Sequence, residues 1–403
     1  MFTATQGMVL PTTVTGSWPR PDWYTLSLDG RPLSRAMIDL AFREQFTDAV
    51  SCVISDQERA GLNILTNGDY HLDKNLAGES WLLYPVERLG GFARVYEQPS
   101  GEWAYPAGTI MHEIFGGWRY PPVVDKVGAG IPFEFDKAWR IAQSRTTRPV
   151  KFGTVSADVA GSVVEIRTSQ YDDDKRQLMW DMATVMNQEL RTLATAGCKV
   201  IQLEEPLVHF IAHTAYDQEY IDFLVDCFNH QVSDLGDVEI WVHTCWGNPN
   251  MQQVLHDTTY EKSIETYLDR VHCDVWTVEM KDRDYRDLDL FKPWKGHMKK
   301  KVAIGVISHR RLQVEAADEV ARDIRTILQY IDPENLVLTT DCGFGRQGCN
   351  RLIAFYKATS LCQGTNIVRR ELGAAETPVP ALDAGLQIDS TKHERKVAIT
   401  TTF

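Results

Sequence analysis

The chain has 403 residues, and its 42 Lys and Arg against 55 Asp and Glu leave a formal charge of −13. With 43% hydrophobic and 24% charged residues, it can build a large core and has neither the bias of a disordered chain nor that of a fibre. The acidic balance argues against non-specific binding to nucleic acid or to an anionic membrane, since both need a positive surface to displace counterions.

No apolar run reaches the roughly 18 residues of a membrane-spanning helix, and the N-terminal MFTATQGMVLPTTVTGSWPRP lacks a basic stretch followed by an apolar one. The expectation is a cytoplasmic protein. Its cysteines (52, 198, 227, 245, 273, 342, 349 and 362) are spread too thinly for a secreted disulfide scaffold, so they read as reduced thiols or metal ligands.

In chain order, β-branched and aromatic runs bounded by turn residues predict strands at 12–16, 63–67, 150–155, 200–204, 238–243, 274–279, 302–307 and 336–341. Helical periodicity falls between most of them, at 174–196, 216–235, 315–330 and 349–363. Strands this apolar, alternating with helices, predict an α/β fold of the (β/α)8 TIM-barrel type spanning 1–373, with a doubly wound open sheet as the alternative. After the second strand, residues 70–120 form an insertion holding Trp81, Trp103, Trp118 and seven Tyr or Phe residues. So aromatic a segment suggests a lid or an arm in a homo-oligomer. Residues 374–403 contain TPVP, end in TTTF and read as a tail.

Barrel active sites assemble at the C-terminal ends of the strands. Here those ends carry Gly16-Ser17, Gly68-Asp69, Glu204-Glu205-Pro206, His243-Thr244-Cys245, Glu279, Ser308-His309-Arg310 and Asp341-Cys342-Gly343. His243 and Cys245 are two apart on an extended strand and point to the same side. With Glu279 and Cys342 they supply the N, S, O and S donors of a tetrahedral zinc site. Any one of these residues alone reads more readily as core packing, but their joint placement favours zinc.

TGSWPRP (15–21), LNILTNGD (62–69), VIQLEEP (200–206), WVHTCWGN (241–248), DVWTVE (274–279), IGVISHRRLQVE (304–315) and DCGFGRQG (341–348) together resemble the cobalamin-independent methionine synthase family, specifically its C-terminal catalytic barrel. The resemblance implies His243, Cys245, Glu279 and Cys342 as zinc ligands. The full-length family members carry a second, N-terminal barrel for which 403 residues leave no room, so the chain reads as a single-barrel relative. The family's homocysteine pocket uses a Ser, a Glu and an Asp. Ser17, Asp69 and Glu204 stand at those positions here, with the two carboxylate lengths exchanged. The resemblance also implies a proton-handling role for His309, displaced by one residue from the family's position, and leaves Arg310 for an anion.

Zinc would make a bound thiol a thiolate at neutral pH. The expected function is therefore methyl transfer onto homocysteine or a related thiol, with a small-molecule methyl donor as second substrate. Epoxyalkane:coenzyme M transferases, single-barrel relatives of the family, offer an alternative: addition of a thiol to an epoxide, with Arg20, Arg310 or Arg346 meeting a sulfonate. A non-catalytic zinc barrel is the third reading. GFGRQG (343–348) matches a dinucleotide fingerprint but lacks the following βαβ unit and reads as the turn that presents Cys342. Asp172-Asp173-Asp174 reads as a solvated helix start, His209 and His213 as neighbours of the site or surface, and Cys198 and Cys273 as packing.

Overall fold

A computed structural model of the chain describes residues 3–73, 78–97, 105–171, 175–204, 206–214, 217–256, 258–345, 348–383 and 385. Trp103, Asp172 to Asp174, Glu205, Arg346 and the tail from 386 lie outside the described residues. The strands are β1 (Leu65–Thr66), β2 (Gly90–Phe92), β3 (Val123–Gly128), β4 (Val150–Val155), β5 (Val200–Glu204), β6 (Glu239–Thr244), β7 (Val275–Val278), β8 (Lys301–Ile307) and β9 (Leu336–Thr340). Seven of them form one sheet in the order β1-β4-β5-β6-β7-β8-β9, every neighbouring pair parallel. The order follows the chain without a reversal, unlike a doubly wound sheet.

The first predicted strand, 12–16, has one bridge, Thr12 to Leu338. Its backbone nevertheless bonds to both edges of the sheet. Thr13 N–H donates to Leu338 O at 3.0 Å, and Asn63 and Ile64 N–H donate to Thr12 O at 3.0 and 3.1 Å. The sheet is thus curled in the manner of a TIM barrel. Inside it Ile64, Val200, Trp241, Val275, Ala303 and Val337 form a separate apolar layer with Ala4 from the N-terminal segment. This layer of inward-facing side chains from successive strands fills the barrel.

Helices cover the outside, at Leu40–Ala60, Arg176–Thr195, Gln218–Gln231, Ala317–Ile327 and Arg351–Glu371 among others. Their buried faces are apolar at helical spacing, as at Val320, Ala321, Ile324 and Ile327. The last helix runs eight residues beyond its expected end at 363. Gly364 does not break it, because a Cβ there would lie 2.6 Å from Val320 Cβ and 2.7 Å from Ala317 O. The glycine is the contact at which two helices meet.

The segment after β1 holds an unexpected antiparallel pair of strands, β2 and β3, and a helix, Glu79–Val86, with Trp81, Leu82 and Tyr84 buried. Tyr84 donates to Phe133 O at 2.6 Å, its ring stacks on Phe135 at 5.7 Å, and His71 stacks on Phe152 of β4 at 4.8 Å. Ring packing therefore seats this segment on the barrel. Residues 374–383 fold back onto their own chain: Asn366 donates to Thr377 O at 2.7 Å, and Asn63 Nδ2 to Thr377 Oγ1 at 3.0 Å. No helix of the described residues is long and apolar enough to cross a membrane.

Candidate metal centre and its surroundings

Parallel strands of a barrel release their C-terminal residues at one face. His243 is the penultimate residue of β6, Cys245 follows that strand and Cys342 follows β9. One donor atom from each falls within 4.8 Å of the others, and all three residues are buried. The two sulfurs are 3.9 Å apart, and the Gly247 N–H points at Cys245 Sγ at 3.3 Å. His243 Nδ1 lies 2.6 Å from Glu204 Oε2, its register partner on β5, and Nε2 lies 3.3 Å from Asp341 O, so Nε2 is the nitrogen that could serve a metal in place of that contact.

Burial alone would lower the His243 pKa, but the Glu204 carboxylate and Cys342 outweigh it and raise it well above 6.5. The Cys342 thiol is held well below its usual value by the hydrogen bond from Cys245 and by His243, against the opposing effect of burial. A thiolate beside an imidazole and a second sulfur is a soft donor set suited to zinc.

Glu279 is the expected ligand that stands apart from this trio. Its Oε2 accepts from Trp246 N–H at 3.0 Å, and Arg310 Nη2 reaches both its oxygens at 3.1 and 3.2 Å. Arg310 also donates to Gly247 O at 2.8 Å. The cation expected to face an anion is thus engaged with the protein's own carboxylate.

The other expected carboxylates converge. A Cβ at Gly16 would sit 3.4 Å from Asp69 Oδ2 and 3.5 Å from Glu204 Oε1, and one at Gly153 would sit 3.6 and 3.7 Å from Asp69 Oδ1 and Glu204 Oε1. Two glycines therefore open a cradle between two acids. Ser17 belongs to the neighbouring turn: its Oγ accepts from Gly345 N–H at 3.1 Å and its carbonyl from Phe344 N–H at 2.8 Å. GFG thus packs against the first strand end.

His309 is buried with Nδ1 3.3 Å from Asp282 Oδ2. Ser308 Oγ donates to the other oxygen of Asp282 at 2.6 Å. Burial alone would raise the Asp282 pKa, but His309 outweighs it and holds the carboxyl below its ordinary range. Asp341 completes this second cluster. Its carboxylate, however, accepts three backbone N–H groups, from Met280 at 2.8 Å, Lys281 at 2.9 Å and Asp282 at 2.7 Å. It anchors the loop after β7.

Sequence reasoning passed over Asp282, Lys151 and Gln202. The last two were detectable as polar residues inside otherwise apolar strands. His209 is buried between Trp246 (4.2 Å) and Tyr260 (5.2 Å), and His213 lies 5.2 Å from Trp246. Burial raises Cys198 to about 12 and Cys273 to about 11, as suits packing residues.

A sequence model of the family described as "Cobalamin-independent synthase, Catalytic domain" matches residues 10–358. The methionine synthase of Sulfurisphaera tokodaii is 30% identical over 364 residues, covering 90% of this chain and 94% of that protein. That of Saccharolobus solfataricus is 29% identical, covering 90% and 96%. Among solved structures, a B12-independent methionine synthase from Shewanella sp. W3-18-1 in complex with selenomethionine superposes with a TM-score of 0.71 at 22% identity, over 91% of this chain and 100% of that one. A putative vitamin-B12-independent methionine synthase from Listeria monocytogenes gives 0.61 at 17%, over 90% and 99%. At these identities the two structures speak for the shared fold.

Proposed function

The chain belongs to the cobalamin-independent methionine synthase family, and from that premise we propose that it moves a methyl group onto the thiol of homocysteine or a closely related thiol, with zinc held by His243, Cys245 and Cys342 and with Glu279 as fourth donor. The observation that carries the reading is the meeting of one imidazole and two sulfurs within 4.8 Å beside a cradle walled by two carboxylates. Zinc bound there would keep a substrate thiol deprotonated at neutral pH.

The chain's own groups supply the rest. Glu204 accepts from Nδ1 of His243, which leaves Nε2 as the nitrogen whose proton the metal would replace. Asp69, with Glu204 beside it, faces the space where an amino-acid ammonium would sit, and charge-assisted bonds there favour an amine-bearing thiol. Ser17 shapes the turn that carries Cys342. His309, held against Asp282, is the general acid that hands a proton to the departing methyl donor. To serve as fourth donor, Glu279 would have to part from Arg310. Of the arginines offered for a sulfonate, Arg20 lies over the Tyr24 ring at 4.6 Å and Arg346 lies outside the described residues. An amino-acid thiol is the better match than coenzyme M because the space beside the sulfurs is walled by the carboxylates of Asp69 and Glu204, which favour an ammonium and repel a sulfonate.

Titrating zinc-loaded protein with homocysteine and other small thiols, while recording zinc X-ray absorption, tests the reading. The true acceptor adds one sulfur neighbour. A spectrum unchanged by every thiol overturns the assignment.

A further inference from the structure

Lys151 on β4 is buried inside the barrel, where an ammonium group is costly unless it is paired or hydrogen-bonded. Its Nζ donates to Gln202 Oε1 at 2.5 Å and to Thr15 O at 3.1 Å, and it lies 4.8 Å from the Trp241 ring centre. Burial pulls the Lys151 pKa down to about 7 against Glu204 and Asp69, which raise it, and the carboxamide of Gln202 is held with its oxygen toward Nζ and its NH2 toward two acceptors. Its Nε2 then donates to Thr15 O at 2.6 Å and to Glu204 Oε1. Glu204 Oε2 in turn receives His243 Nδ1 at 2.6 Å. The line of hydrogen bonds from Lys151 to His243 is continuous, and all four residues are buried.

Strand geometry explains how it is built. Gln202 and Glu204 are two apart on β5 and share the inward face. The register sets Gly153, two beyond Lys151, beside Gln202, and Glu204 beside His243.

We propose that Lys151 is a positioning residue for the metal-binding imidazole, acting through Gln202 and Glu204 to hold His243 with Nε2 toward the two sulfurs. Glu204 is then committed to the histidine, and recognition of a substrate amine shifts toward Asp69. This inference rests on the zinc reading above and goes beyond it, because it makes zinc affinity depend on a side chain that touches neither metal nor substrate.

Two variants test it. Lys151→Met removes the origin of the line. Gln202→Glu keeps the shape and satisfies Lys151, but cannot donate to Glu204, so it carries the test should the first variant fail to fold. Folded protein is loaded with zinc and titrated against a chromophoric chelator, and the His243 tautomer is read from long-range ¹H–¹⁵N spectra. The expected result is zinc affinity about 10- to 100-fold weaker, the range for lost second-layer support, together with loss of the single Nδ1–H tautomer in the variants. Wild-type affinity and an unchanged tautomer in a folded variant overturn the proposal while the zinc reading stands. A wild-type protein that takes up no zinc overturns both.

Discussion

Gly305 shows how tightly single residues are fixed at the catalytic end of the barrel. A Cβ there would lie 1.9 Å from Asp341 Oδ1 and 2.7 Å from Asp341 Cα, and the register of β8 against β9 shifts between Gly305 and Ile307. Asp341 is the acceptor that gathers the backbone of Met280 to Asp282 and adjoins Cys342. Gly305→Ala is expected to cost about 1–3 kcal/mol or more, by overpacking a site with no slack, and to lower the melting temperature measured by calorimetry. The cysteines separate in the same way. Cys245→Ser or Cys342→Ser should release zinc to a chelator that leaves the wild type loaded. Cys198→Ser and Cys273→Ser should retain the metal and shift stability by only about 1–2 kcal/mol, as denaturant titration and metal analysis would show. This division was legible in the sequence, because position at the end or the start of a strand is enough to sort the thiols. The line from Lys151 to His243 was not. Lys151 and Gln202 stand 51 positions apart, and only the pairing of β4 with β5 brings them together.

Among the elements, the helix Arg351–Glu371 follows the turn that presents Cys342, and Asn350 caps its start by accepting from Ile353 N–H at 2.9 Å. Asn350→Ala should cost about 1 kcal/mol in urea denaturation, as an N-cap deletion does. The helix also ties the two ends of the ring together, with Arg351 reaching both oxygens of Asp56 on the helix Leu40–Ala60 at 2.6 and 3.0 Å. The core strands from β4 onward were readable almost to the residue, because parallel strands buried on both faces are continuously apolar. The pairing of β2 with β3 was hidden for the opposite reason. GGF and VVDKVG carry no sustained alternation, and they pair because the surrounding rings pack on the barrel.

For the molecule as a whole, acid stability hinges on two buried imidazoles. His71 is pushed down to about 3 by burial, with Arg88 and Arg20 adding to it, and accepts from Asn67 Nδ2 at 3.2 Å as a neutral ring. His209 is likewise pushed down to about 3, by burial and by Arg283. Each is neutral in the fold but protonates near 6.5 once unfolded, so its contribution is present above pH 6.5 and is lost as pH falls toward 3. The loss is on the order of 4 kcal/mol per histidine at the bottom of that window. Urea midpoints measured from pH 7 to pH 4 should fall steeply for the wild type and less steeply for His71→Phe and His209→Phe. Equal slopes would show that these rings do not govern the acid limb.

The sequence by itself determined the α/β alternation, the strand ends at which Cys245 and Cys342 meet and the family, because each is encoded locally: in periodicity, in turn residues and in what ends a strand. Tertiary structure decided how those groups are shared. It gave Glu204 to His243, Arg310 to Glu279 and Asp282 to His309, and it set Asp69 beside the cradle of Gly16 and Gly153. Hydrogen-bond partners inside a curled sheet are chosen by register and curvature across distant strands, and neither is written in any one segment of the chain.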